Sequence, residues 1–155
     1  MTLVILLIVV LALAAATGLV TAIRRAASCA RSVDAPGGEP EQSFSGGVMC
    51  RRLITSGSLA KVELFDWGVR VRGTVISRWL VPTWEARWDE LAIGELVRLP
   101  QSRIAVWFRL RGEPDGMAFL SDRCEEILRF VERHEVPVNR SVARLRNVAE
   151  LYQAR

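Results

Sequence analysis

The chain has 155 residues, of which 25% are charged, and a formal net charge of +4. This length is enough for one small domain with a single hydrophobic core. The basic excess lies at the carboxyl-terminal end, where residues 137–155 hold four arginines and one acid. The chain therefore has no positive field across the whole domain, and a nucleic-acid partner is not predicted.

The first segment, residues 1–23, contains no charged side chain and is followed by Arg24 and Arg25. A helix of this length, at about 1.5 Å per residue, covers a hydrocarbon core of about 30 Å. The segment therefore predicts a transmembrane helix. Two alternatives stay open: a cleaved signal peptide, because residues 14–16 are all alanine, and a lipoprotein, because residues 26–29 resemble the end of a lipobox.

The basic residues after this segment predict its orientation. Arg24, Arg25 and Arg31 all precede the first acidic residue, Asp34. Since basic residues are retained on the cytoplasmic side of a span, we expect the amino terminus outside and the carboxyl-terminal domain in the cytoplasm. The chain is thus predicted to be an integral, single-pass protein of the cell membrane.

Composition indicates that residues 24–50 form a flexible linker. The segment is rich in proline, glycine and serine, including Pro36, Gly37 and Gly38 in succession, and it has little apolar content to bury.

The cysteines predict neither a metal site nor a disulfide framework. Cys29, Cys50 and Cys124 are widely spaced and form no Cys-x-x-Cys pair, and His134 is the single histidine. A Cys/His zinc site therefore has no recognisable motif. Free thiols suit the reducing cytoplasm that the orientation predicts.

From Leu59 onward the pattern is typical of short strands. Period-two alternation and apolar β-prone runs predict strands over residues 59–65, 69–72, 84–89, 95–99, 104–110 and 117–121. Asp66, Trp67 and Gly68 form a turn signal between the first two strands, so we expect a hairpin there. The whole pattern predicts an antiparallel meander of about six strands.

Two helices are predicted after the meander. Asp122 can cap a helix in which Ile127, Leu128 and Val131 fall on one face, and Pro137 lies beyond its end. Residues 141–152 have apolar side chains at three-residue intervals, which predicts a short amphipathic helix within a tail of residues 137–155. The predicted fold class is α+β.

Three segments of this pattern resemble the bacterial pleckstrin-homology-like proteins, including those with GRAM-like domains. They are residues 65–70 (FDWGVR), 82–85 (PTWE) and 89–91 (DEL), followed by a closing helix. The resemblance covers residues 59–136 and implies a barrel-like sheet capped by a helix, in a domain over residues 51–136. It also implies binding of lipid head groups, peptides or other proteins.

Arginines on two predicted strands form a candidate binding face with a tryptophan beside them. Guanidinium groups on one face of a sheet can hold phosphate or carboxylate groups bidentately. The alternative is an ordinary solvated face whose arginines pair with Glu85 and Asp89. The candidate face consists of Arg70, Arg72, Trp107, Arg109 and Arg111.

Trp67 and Trp79 lie near predicted turns and are further candidates for contact with a partner or a membrane interface.

An enzyme is not predicted. The adjacent acids at 89–90 and 125–126 point apart on a strand or helix and cannot act as an acid/base pair. No Gly-rich phosphate loop or nucleophile motif occurs in the sequence, so no cofactor is expected.

The sequence leads to a functional hypothesis and one alternative. The hypothesis is a membrane-anchored protein whose domain is a non-catalytic binding or regulatory module for a protein partner or anionic lipid head groups. The alternative is a structural or accessory subunit of a membrane protein complex that contacts its partners through the span. The tail helix is expected to pack on the domain or on the bilayer.

Overall fold

The structure is a computed structural model that describes residues 2–50, 53–55, 57–99, 103–113 and 116–144. Within these ranges, the side chains of residues 2–5, 8, 19, 22–26, 53, 143 and 144 lie outside the described set.

Over the described residues, the chain forms a first helix, a nine-stranded sheet and a second helix that packs on the sheet. Helix α1 spans Thr2–Ala27, and helix α2 spans Cys124–Arg133. The strands are β1 (Gln42–Cys50), β2 (Leu53–Ile54), β3 (Ala60–Phe65), β4 (Gly68–Gly73), β5 (Trp84–Arg87), β6 (Leu91–Arg98), β7 (Ile104–Leu110), β8 (Gly116–Leu120) and β9 (Val138–Arg144). A 3₁₀ turn covers Trp88–Glu90.

The strands form one sheet in the order β5, β4, β3, β1, β8, β7, β6, β9, with β2 paired to β1 off this path. The pairs are antiparallel except for β6 with β9, which are parallel. Strand β1 joins the two halves, because residues 42–46 pair with β3 and residues 47–49 pair with β8. A Cβ atom on Gly46 would lie 2.1 Å from the carbonyl oxygen of Leu120, so β8 approaches here only because residue 46 is glycine.

The main core lies between the two halves of the sheet and helix α2. Alternation in the β3–β4 hairpin places Val62 and Val71 inward, both with no exposed surface. Helix α2 adds Ile127, Leu128 and Val131 to the same cluster, and these are also completely buried. Each such side chain contributes about 1.5–3 kcal/mol when it is buried. A smaller cluster contains Met49, Val97, Leu99, Ala105, Trp107, Ala118 and Leu120.

The prediction of a transmembrane helix over residues 1–23 is contradicted by the described part of helix α1. No helix among the described residues is long and apolar enough to cross a membrane. The predicted fold class with a transmembrane helix is corrected accordingly.

The predicted cellular location is corrected for the same reason. An integral, single-pass cell-membrane protein with an outside amino terminus and a cytoplasmic domain requires a span, and the described residues contain none. The orientation predicted from Arg24, Arg25 and Arg31 is therefore corrected too, because that rule applies only to a transmembrane span.

The carboxyl-terminal segment differs from the predicted amphipathic helix. Residues 138–144 form strand β9, so residues 141–144 of the predicted helix are extended, and residues 145–155 lie outside the described residues. The free edge of β6 explains the difference, because its unpaired backbone groups accept a further strand. The backbone N–H of Gly94 donates to the carbonyl of Pro137 over 2.9 Å, where this pairing begins.

The segment predicted as a linker contains strand β1 and an ordered contact with the sheet edge. Arg31 bridges to β5: its N–H donates to the carbonyl of Thr83 over 3.1 Å, and the N–H of Glu85 donates to its carbonyl over 2.9 Å. Residues near 31 therefore cover the outer edge of β5, which would otherwise present unpaired backbone groups.

Two cysteines expected as free thiols are joined. Cys29 and Cys50 form a disulfide with a Cα–Cα distance of 6.4 Å, whereas Cys124 is free and buried. The wide sequence separation of 21 residues gives no sign of this pairing, because the fold brings the end of α1 to the end of β1. The disulfide fastens the first helix to the sheet.

Candidate functional site

The loop between β4 and β5, residues 74–83, exposes three large apolar side chains. Val75 is 86% exposed, Ile76 is 82% exposed and Trp79 is 58% exposed. Val75 and Ile76 are the most exposed large apolar side chains in the described part of the chain. We call Val75, Ile76 and Trp79 the loop-tip surface.

The loop is held in one conformation by hydrogen bonds that centre on Ser77. This residue is buried, and its hydroxyl donates to the carbonyl of Leu59 and lies 2.9 Å from the hydroxyl of Thr74. Its own carbonyl accepts from the N–H groups of Leu80 and Val81, both over 2.8 Å. Val81 is itself a core residue. The loop is therefore anchored in the core while its tip faces outward.

Gly73 allows the loop to return closely over the end of β4. A Cβ atom at this position would lie 2.7 Å from the Cα of Arg78 and 2.7 Å from the carbonyl oxygen of Ser77. Both contacts are with backbone, which cannot move aside as a flexible side chain can. Only glycine fits between β4 and the turn that presents the loop-tip surface.

A cationic recess lies beside the loop-tip surface. Its volume is about 460 Å³, and its lining includes the cationic side chains of Lys61, Arg72 and Arg78 and the hydroxyls of Thr74 and Thr83. No carboxylate is among its described lining residues. We call these five residues the basic recess. Their donors and positive charges are suited to an anionic group such as a phosphate.

The charges of the basic recess are only partly balanced by the neighbouring sheet surface. Arg72 binds Glu63, with 3.0 Å between Nε and Oε1, while its own side chain remains 52% exposed. Lys61 and Arg78 are exposed and form no ion pair with any described residue. The recess therefore keeps a net positive charge.

The candidate face predicted from sequence is split between distant strands. Arg70 and Arg72 lie on β4, whereas Trp107 and Arg109 lie on β7, and β3, β1 and β8 separate these strands in the sheet. Trp107 is only 2% exposed and belongs to the smaller apolar cluster. The five residues therefore do not form one surface.

Arg70 is engaged in contacts within the fold. Its Nε donates to Oε1 of Glu85 over 2.6 Å, and its guanidinium lies 4.9 Å from the ring centre of Phe65 and 5.7 Å from that of Trp67. Such contacts over aromatic faces stabilise an arginine in place. Arg70 is therefore a structural residue of the hairpin surface.

Arg109 on β7 and Arg111, just after the end of this strand, are also engaged. Arg109 pairs with Glu95 over 3.1 Å, and Nε of Arg111 donates to the carbonyl of Leu91 over 2.9 Å. These bonds tie β7 to the β6 side of the sheet, which leaves Arg72 as the one member of the predicted face that lines the recess.

An ion-pair cluster that the sequence did not indicate fixes residues 31–33 to the sheet. Arg31 donates to both carboxylate oxygens of Glu90, each over 3.0 Å. The Arg31 bonds lower the pKa of Glu90 despite its partial burial. Glu85 accepts from the hydroxyl of Ser32 and the N–H of Val33 over 3.1 and 3.2 Å. These carboxylates are held as structural anions.

A second cavity, of about 600 Å³, lies near the start of helix α2 and includes Cys124 in its lining. Burial raises the pKa of the Cys124 thiol, and its Sγ donates to the carbonyl of Ser121 over 2.9 Å. A buried thiol with a raised pKa is a poor nucleophile at neutral pH. Among the described residues, no group of three or more histidine, cysteine or acidic side chains is placed to bind a metal ion.

Sequence reasoning identified Trp79 as a surface candidate but missed Val75, Ile76, Lys61 and Arg78. The adjacent apolar pair at 75–76, in a segment flanked by turn-forming residues, was the available signal. Comparison with protein-family models found no match, and no curated protein is significantly similar to the chain. The resemblance to pleckstrin-homology-like proteins accordingly stays a prediction.

Proposed function

We propose that the chain is a non-catalytic binding or regulatory module that contacts its partner through the loop-tip surface and the basic recess. The observation that carries the proposal is the exposure of Val75, Ile76 and Trp79 on an internally bonded loop. Exposed apolar patches rimmed by polar groups mark interaction sites. A loop already held in one conformation also loses little entropy when it binds.

The chemistry of the described titratable groups supports a binding role over a catalytic one. Glu63, Glu85 and Glu90 each accept hydrogen bonds from an arginine, which holds them in fixed structural roles. The thiol of Cys124 is buried and has a raised pKa. None of these groups faces the basic recess as a free acid, base or nucleophile.

The resemblance to pleckstrin-homology-like proteins, which stays a prediction, implies lipid head groups, peptides and proteins as partners.

A second candidate function is an accessory subunit that contacts a partner protein through α1. It is favoured by the exposure of Leu6, Leu7, Leu11 and Leu13, each between 57% and 65% exposed.

Site-specific photocrosslinking separates these two functions. A photoreactive amino acid is placed at Ile76 in the full chain, with matched positions at Ile54, an isoleucine that is 63% exposed on β2, and at Leu11 on α1. Crosslinking is carried out in the presence of the native membranes and soluble fraction. The mass of each adduct shows whether the partner is a lipid or a protein.

The proposal predicts an adduct from position 76 that is absent from position 54 and is lost when Arg78→Glu is introduced. An adduct from Leu11 alone would favour the accessory subunit. Equal adducts from positions 76 and 54, unaffected by Arg78→Glu, would overturn the proposed role of the loop.

A further inference from the structure

We infer that the partner of the loop-tip surface is the surface of an anionic lipid bilayer, which the domain contacts peripherally. The loop-tip surface enters the interfacial layer, and the basic recess binds a headgroup phosphate. This inference rests on the proposed function, because it names the partner of the same site.

The first argument is the order of chemistry along the loop. Val75 and Ile76 are the most exposed members of the loop-tip surface, at 86% and 82%, and they line the same recess as Lys61 and Arg72, which lie on the adjoining strands β3 and β4. In a bilayer, the charged phosphates lie at the surface and the hydrocarbon lies beneath them. When the loop enters this surface, its apolar side chains can reach the hydrocarbon while the cationic side chains contact the phosphates.

The second argument is charge complementarity. Lys61 and Arg72 lie directly opposite each other on β3 and β4, and Arg78 lines the same recess. Like charges at directly opposed positions destabilise a sheet unless something neutralises them. Glu63 forms an ion pair with Arg72, but no described carboxylate lies within ion-pair distance of Lys61 or Arg78. An anionic phosphate would offset this charge.

The third argument is the state of the Trp79 indole. Its Nε1–H donates to the carbonyl of Ile76 over 2.9 Å, within the loop itself. The ring can therefore leave water without losing a hydrogen bond, which would otherwise oppose its transfer. Tryptophan is also the residue that prefers the headgroup level of a bilayer.

The shape of the site favours a bilayer over a peptide. Peptide ligands bind in grooves or along open sheet edges. Val75 and Ile76 are instead more than 80% exposed beside an open recess, and the nearby edge of β5 is already covered by Arg31. Apolar side chains this exposed match a deformable interface better than they match a rigid groove. A protein partner is the competing outcome of the test below.

The test uses Trp79 as a reporter in the full chain. The vesicles carry bromine on their acyl chains, which quenches tryptophan. They contain either phosphatidylcholine alone or phosphatidylcholine mixed with anionic phosphatidylglycerol. Trp84, Trp88 and Trp107 are less than 10% exposed. The variant Trp79→Phe measures the background quenching of the remaining tryptophans, which is subtracted. Total binding is not the readout, because the exposed apolar side chains of α1 can adsorb to vesicles of either composition.

We expect Trp79 to be quenched by the anionic vesicles and much less by the neutral ones. Lys61→Gln with Arg78→Gln should raise the lipid concentration for half-maximal quenching about 30-fold, since each basic residue near an anionic surface contributes about a factor of five. Val75→Ser with Ile76→Ser should raise it at least about tenfold. The matched controls Arg129→Gln and Ile54→Ser lie elsewhere on the surface and should leave it unchanged.

Equal quenching by neutral and anionic vesicles, or equal effects of Arg78→Gln and Arg129→Gln, would overturn the inference. So would an absence of Trp79 quenching in both vesicle types. If a protein adduct still forms at position 76, the proposed binding function stands and only the lipid partner is excluded. If position 76 forms no specific adduct either, both proposals fall.

Discussion

Lys61 on β3 and Arg72 on β4 lie directly opposite each other in the hairpin register. Arg72 turns toward Glu63 on the neighbouring strand, whereas Lys61 remains exposed at the basic recess. A sheet gains no stability from this arrangement of like charges. We therefore explain it by the anionic partner proposed for the recess.

The first prediction concerns acid stability and Glu85, which is 6% exposed. Burial alone would raise its pKa, but hydrogen bonds from Arg70, Val33 and Ser32 and the charge of Arg70 bring the pKa below its usual value of 4.5. A carboxyl with a lowered pKa in the folded state stabilises the fold above about pH 4.5, and this contribution is lost as the pH falls through the folded pKa.

Glu85→Gln should therefore lower the free energy of unfolding at pH 7 by about 1.5–3 kcal/mol and flatten its decline below pH 4.5. Denaturant unfolding at several pH values measures both quantities. Arg129→Gln, at an exposed position on α2, is the control that should change neither. Parallel pH curves for Glu85→Gln and the parent chain would contradict the assignment.

The second prediction concerns the disulfide between Cys29 and Cys50. Under denaturing conditions without reductant, an alkylating reagent should modify only Cys124, and after reduction it should modify all three cysteines. Closing a chain segment of this length stabilises a fold by about 3 kcal/mol. The double variant Cys29→Ser with Cys50→Ser should lose about that much stability. Three modified cysteines without reductant would show that the pair is not joined.

The third prediction concerns Gly73, which has no room for a Cβ atom beside Ser77 and Arg78. Gly73→Ala should lower the free energy of unfolding by about 1–3 kcal/mol, because backbone must move to admit the methyl group. It should also weaken contact through the loop-tip surface. Gly37→Ala is the matched control, since nothing lies within 4 Å of a Cβ atom there. Similar stability of the two variants would mean that the loop does not pack on β4 as described.

The fourth prediction separates two tryptophans by their roles. Trp107→Ala should cost about 3–5 kcal/mol of stability, because its side chain is 2% exposed within an apolar cluster. Trp79→Ala should change stability by no more than about 0.5 kcal/mol, because its side chain is 58% exposed. Thermal or denaturant unfolding of both variants gives the comparison. Equal losses would contradict the division between a structural and a surface tryptophan.

Local patterns in the sequence located much of the sheet. Alternation over residues 104–110 and the turn signal at Asp66–Gly68 correspond to strand β7 and to the hairpin of β3 and β4. The helix predicted after Asp122 corresponds to α2, although its first residues lack a side-chain cap. These features depend on contacts between residues close in sequence, and the spacing of apolar residues along the chain predicts such local elements.

The missed features depend on tertiary contacts. Strand β1 contains two glycines and two serines and so reads as a linker, yet it is the central strand because β3 and β8 pair with it. Trp107 lies on the face expected to be solvated, but both faces of β7 are covered at that point. The basic recess unites Lys61 with Arg78 across the β3–β4 hairpin and its loop, a proximity that spacing alone does not indicate.

We expect the loop-tip surface to be held outward for contact and to contribute nothing to the stability of the fold. The free energy of unfolding of Val75→Ser with Ile76→Ser, measured beside that of the parent chain, tests this expectation. The two values should be equal within about 0.5 kcal/mol, because both side chains are more than 80% exposed. A loss of about 2 kcal/mol or more would contradict it, since the side chains would then be packed within the fold.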